Sequence, residues 1–152
     1  MTEQTTTPET TPGTSAGTTT APAPPATVWG SFQARDAHAM IAFLTALGFE
    51  ATAVYGDGAT VAHAQLDWPE GGGVMFGSHK EGVWSLTPGS AGFYVVTDDP
   101  KGVHDRAVQA GAEIIQDLDE PDYGGLTFAL RDPEGNHWSF GSYRGEGRSA
   151  PA

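Results

Sequence analysis

One unit of this chain occurs twice. An aspartate, a stretch with apolar residues at three- and four-residue spacing, and a glycine run from Asp36 to Gly48 and again from Asp99 to Gly111, 63 residues later. Aspartate is a good helix N-cap and glycine a good residue just past a helix end, so each unit predicts a helix. The first carries an apolar stripe of Met40, Ile41, Phe43, Leu44 and Leu47; the second carries Val103, Ala107, Val108 and Ala110. Extended runs flank both. Strands are predicted over 27–34, 50–55, 60–68 and 73–77 in the first half, and over 89–97, 113–118, 127–130 and 136–143 in the second. Asp57-Gly58 and Pro69-Glu70-Gly71-Gly72 supply turn residues between strands. Internal repetition of this kind constrains a fold more than any single element does. The expected class is α+β, built from two βαβββ modules, 27–78 and 90–144, joined by a linker through 79–88.

Composition sets the outer limits. Residues 1–26 are mainly Thr, Pro, Ala, Gly, Ser and Glu, with no large apolar side chain after Met1, and such a segment is expected to be a disordered tail. It lacks the basic start and apolar run of a secretory signal. Residues 145–152 read as a polar tail. No stretch approaches the roughly 20 apolar residues of a membrane span. The absence of cysteine from the sequence excludes disulfides, thiolate metal sites and a cysteine nucleophile. A cytoplasmic location is the default expectation. Net charge is −12, with only seven Lys and Arg, scattered along the chain. That argues against nucleic acid as a partner, because phosphate binding needs clustered cations. It favours solubility and would attract a cationic ligand.

The most informative motif is Arg131-Asp132-Pro133-Glu134-Gly135-Asn136, followed by a strand in which Trp138 and Phe140 share one face and His137 and Ser139 the other. This stretch resembles the end of a βαβββ module in the vicinal-oxygen-chelate superfamily of glyoxalases, extradiol dioxygenases and bleomycin-resistance proteins. The resemblance covers about residues 27–144 and implies two curved sheets forming a cup. It also implies a homodimer, since two-module chains of this group commonly complete each cup with a partner.

In metal-dependent relatives one ligand lies early on the first strand of each module, and another lies three residues after the Asn of the turn. The corresponding positions here are Trp29, Gly92 and Ser139. Their immediate neighbours, and the run Val74-Met75-Phe76-Gly77-Ser78, offer no imidazole or carboxylate. Indole has no in-plane lone pair to give, glycine has no side chain, and a neutral hydroxyl is a poor ligand. The expectation is therefore no metal and no cofactor. His38 and His104 fall on the helices, His79 in the linker, and His137 alternates away from the aromatic face. His63 alone lies on a strand that could line the cup. The serines show no nucleophile elbow, and Gly71-Gly72-Gly73 precedes a strand, so it is no phosphate loop.

With the metal positions vacated, aromatics are the candidate binding groups. Trp29, Phe32, Phe93, Tyr123, Trp138 and Phe140, with His63 and Gln65 as polar contacts, are expected to contact a small aromatic or cationic molecule. Two functions are compatible with this pattern. One is a metal-free binder of the drug-sequestering type. The other is a glyoxalase-like lyase, isomerase or dioxygenase that uses a displaced metal or acid–base residues, with His63, Glu113, Glu120 and Tyr123 as the candidates.

Overall fold

The computed structural model describes residues 25–122 and 124–147. The tail expected over 1–26 falls outside that range apart from Pro25 and Ala26, as do Tyr123 and residues from 148 onward. The chain runs β1 (Gly30–Ala34), α1 (Ala37–Leu47), β2 (Glu50–Asp57), β3 (Thr60–Asp67) and β4 (Gly73–Ser78). It then repeats as β5 (Gly92–Val96), α2 (Pro100–Gln109), β6 (Glu113–Asp119), β7 (Thr127–Arg131) and β8 (His137–Gly141). Each module closes a four-stranded sheet, in the orders β1-β4-β3-β2 and β5-β8-β7-β6. The first strand of each lies parallel to the last, and the remaining pairs are antiparallel.

The capping residues act as their types require. The Asp36 carboxylate accepts the Ala39 N–H at 3.0 Å, and the Asp99 carboxylate accepts the Gly102 N–H at 3.0 Å. Gly48 comes directly after α1 with φ 122°, in the region that favours glycine. The first and fifth strands begin at Gly30 and Gly92, later than expected, although Ala91 still accepts the His137 N–H at 2.9 Å.

One core serves both modules. Met40, Leu44 and Leu47 of α1 and Val103 and Ala107 of α2 join Phe32, Leu66 and Phe76 of the first sheet and Phe128, Trp138 and Phe140 of the second. The two helices touch each other. At the seam Phe32 meets Phe93 edge-on, with ring centroids 5.4 Å apart, and Phe49 meets Trp138 edge-on at 5.7 Å. Polar contacts also cross it. Glu134, in the turn before β8, accepts the backbone N–H groups of Arg35 and Asp36. Glu70, in the turn before β4, accepts that of Asp98. Among the described residues no helix is long and apolar enough to cross a membrane.

Candidate functional site

Strand register assigns the faces. In the first sheet Phe32 lies beside Phe76, and Phe76 opposite Ala64; this row faces the core. The next row, Ser31, Met75, Gln65 and Ala53, faces away from it. His63 belongs to this open face and lies opposite Tyr55, with ring centroids 6.4 Å apart. In the second sheet the rows Phe93–Trp138–Leu130 and Val95–Phe140–Phe128 face the core. The rows Gly92–His137–Arg131 and Tyr94–Ser139–Ala129 lie on the open face.

The four aromatics expected to contact a ligand, Phe32, Phe93, Trp138 and Phe140, all lie in core-facing rows; Phe32 nevertheless borders the cavity beside His63, and Phe93 and Trp138 border one at the seam. Trp138 and Phe140 are 0% exposed. Alternation separates two faces without saying which one a helix will cover, and burial favours covering the larger apolar face. The Trp138 indole N–H donates to Asp132 Oδ2 at 2.9 Å. The same carboxylate accepts from the Asn136 side chain and from the Glu134 and Asn136 backbone. The Asp-Pro-Glu-Gly turn thus fixes the tryptophan from below. Phe93 stacks on Trp138 at 4.3 Å. Both border a cavity of about 250 Å³, but it lies at the seam between modules, beside Phe49, Trp68 and Glu70.

His63 and Gln65 do reach an open face. His63 borders a cavity of about 310 Å³ with Ser31, Met75, Lys80, Trp84 and Leu86. Its outer wall is the linker, held down by the buried side chain of Gln33. Gln33 Nε2 donates to the Trp84 carbonyl at 3.0 Å, and its Oε1 accepts the Leu86 N–H at 3.1 Å and lies 3.0 Å from His79 Nδ1. Strand pattern alone does not bring Lys80, Gln33 and Trp84 into the candidate site. The one signal for them is Val83-Trp84-Ser85-Leu86, an apolar run in a segment that joins two modules.

Trp29 and Gln65 border a neighbouring depression of about 330 Å³ with Asp67 and Trp68. Asp67 is engaged there: Gln65 Nε2 donates to one oxygen at 2.9 Å and Thr52 Oγ1 to the other at 2.6 Å. On the second sheet Tyr94 and Val96 border a separate open cavity of about 580 Å³, with Tyr143 and Arg144. Of the acid–base candidates, Glu113 pairs with Arg131 at 3.8 Å on the second sheet, Glu120 is exposed in a loop, and His63 is on the first sheet. They do not form one cluster among the described residues. Tyr123 lies outside the described residues.

A family model, Glyoxalase/Bleomycin resistance protein/Dioxygenase superfamily, matches residues 26–140. The chain belongs to this superfamily. TioX from Micromonospora sp. ML1 has a similar structure, with a TM-score of 0.63 and 26% identity over 73% of this chain and 93% of that one. A glyoxalase/bleomycin resistance protein from Catenulispora acidiphila gives a TM-score of 0.57 and 21% identity, over 75% and 95%. A bleomycin-binding protein solved with bleomycin gives 0.56 and 18%, over 77% and 98%. No curated protein matches the chain by sequence.

The donor set of this superfamily member does not fit the divalent metal of its metal-dependent relatives. Gly92 and Ser139 fall on the open face of the second sheet, where a ligand would have to stand. The Ser139 hydroxyl lies 3.3 Å from His137 Nε2. Among the described residues no three His, Cys, Asp or Glu side chains come together as a metal site requires.

Proposed function

We propose that this superfamily member binds a small, largely aromatic molecule on its open sheet faces, uses no metal to do so, and acts by holding the ligand rather than transforming it. The observation that carries this reading is the linker-walled cavity on the first sheet, where an exposed indole, Trp84, faces a floor of Ser31, His63 and Met75. Such a mixture of apolar walls and a few polar groups suits a small organic ligand. The scattered acid–base candidates support no catalytic constellation. Trp29 and Gln65, in the adjoining depression, extend the surface available to a larger molecule. The bleomycin complex of a structural neighbour makes a drug-sized ligand a reasonable first trial.

The same reading includes a homodimer. Each sheet carries its own open cavity, with Tyr55 and Trp84 exposed on or beside the first and Tyr94 on the second. Symmetric pairing of one chain's open face with the other's would enclose a ligand between them. Titration of metal-stripped protein with bleomycin and a panel of planar aromatic compounds, monitored by tryptophan emission, tests the reading. Saturable binding of a panel member, unchanged by chelator, supports it. Turnover that depends on added Zn, Ni, Fe or Mn would replace it with the enzyme reading.

A further inference from the structure

Resting on the reading that the open face of the first sheet holds a small molecule, we infer that this ligand carries an anionic group, such as a carboxylate, placed at the Lys80 end of the linker-walled cavity with its ring against Trp84. Net charge of −12 would suggest the opposite, a cation. Screening decides between the two. At physiological salt the field of distant surface carboxylates decays over about 8 Å, so the groups in contact with the ligand dominate.

Those groups are donors. Lys80 borders the cavity, and among the described residues it forms no ion pair. His63 borders it too and has no hydrogen bond to another described residue, which leaves its ring nitrogens available. Ser31 is exposed and adds a hydroxyl. No Asp or Glu borders the cavity among the described residues. The next residue along the linker, Glu81, is paired with His79 at 3.1 Å. Asp67 lies in the neighbouring depression, with both oxygens already accepting hydrogen bonds.

Gln33 explains why this arrangement is fixed. It is 8% exposed, and both ends of its amide are spent on the linker backbone and His79. It therefore holds the Trp84 backbone in place over the sheet. Trp84 is 81% exposed and presents an apolar ring at low conformational cost. An ammonium group entering here would meet Lys80 without a counter-charge, whereas a carboxylate would meet Lys80, His63 and a hydroxyl.

Three probes of one shape separate the possibilities: 2-naphthoate, 2-naphthamide and 2-naphthylmethylammonium, titrated into the full chain by calorimetry. The expected order is naphthoate tightest, by about five-fold over the amide as befits an exposed ion pair, with the ammonium weakest. Lys80→Met should abolish the advantage of the acid over the amide, and high salt should shrink it. Trp84→Ala should weaken all three alike. Ammonium binding as tight as naphthoate, or an acid preference that survives Lys80→Met, overturns the inference while the binding function stands. Failure of all three probes to bind the unaltered protein overturns the binding function at this cavity, and the inference with it. Both substituted residues lie on the linker, and circular dichroism confirms that the variants fold.

Discussion

Glu134 caps a helix in the other module: one carboxylate oxygen accepts the Asp36 N–H at 3.1 Å, at the start of α1, and the other accepts the N–H of Arg35. Glu70, in the matching turn of the first module, accepts the Asp98 N–H at 2.7 Å, at the start of α2. The repeat seen in the sequence is therefore also reciprocal in space. Each strand–turn–strand unit places a carboxylate at the helix start of its counterpart, where free N–H groups and the helix dipole favour negative charge.

Glu134→Ala should lower stability by about 1–2 kcal/mol, the usual scale for losing a helix-terminal acceptor. Glu70→Ala, which removes one backbone contact rather than two, should cost less. Urea denaturation monitored by circular dichroism measures both. A neutral result for Glu134→Ala would show that water replaces the carboxylate without cost.

Trp138→Ala should act on folding before it acts on any ligand. The ring is fully buried and stacked on Phe93, so truncation should cost roughly 3–5 kcal/mol. Trp138→Phe keeps most of the packing but leaves Asp132 without the indole donor, for about 1–3 kcal/mol. Thermal melts rank the two. Equal stability of Trp138→Phe and the unaltered protein would deny the Asp132 contact any weight.

Gly30→Ala tests the seam. A Cβ there would sit 2.7 Å from Phe93 Cε1, so the ring must move against its neighbours. A loss of roughly 1–3 kcal/mol is expected from overpacking. Phe93→Leu in the same chain should restore part of it, a coupling that a double-mutant cycle reads directly.

Light scattering at micromolar concentration should give close to twice the chain mass of 15.8 kDa. Trp84→Asp or Tyr94→Asp, each placing a charge on an exposed aromatic position of an open face, should shift the protein toward monomer. A single-chain mass for the unaltered protein would remove the dimer from the proposed function.

Added Zn, Ni or Mn should leave the melting temperature unchanged, because binding to the folded state alone raises it by mass action and the vacated positions offer no donors. A saturable rise would point to a cation site built from other residues.

The repeat, both helices and the turns are legible in the sequence because they rest on local chemistry. Asp36 and Asp99 cap the helices that start beside them, and Gly48 ends α1 for backbone reasons alone. The alternation of β8 is also legible: Trp138 and Phe140 do share a face. Which face the helix covers is not, because that depends on the path of a segment many residues away. The same limit hides Gln33. Its position on β1 says that it alternates with Phe32 and Ala34, but its partners Trp84, Leu86 and His79 come from a linker whose course over the sheet has no local signature. Asp132 reads as a turn former, and its second task, holding Trp138, emerges only when β8 folds back over the turn.

Reciprocal capping also makes each half of the chain dependent on the other. A cut in the linker between Glu81 and Gly82 would sever neither the Glu134 contact with α1 nor the Glu70 contact with α2, and it would leave the Phe32–Phe93 seam in place. The two fragments should reassemble on mixing as a complementing pair, while each alone would lose the partner carboxylate at its helix start and leave half of a hydrophobic seam exposed to water. An exchange of halves between two copies would satisfy the same contacts, so the length of the linker selects between a self-contained chain and an interlocked one.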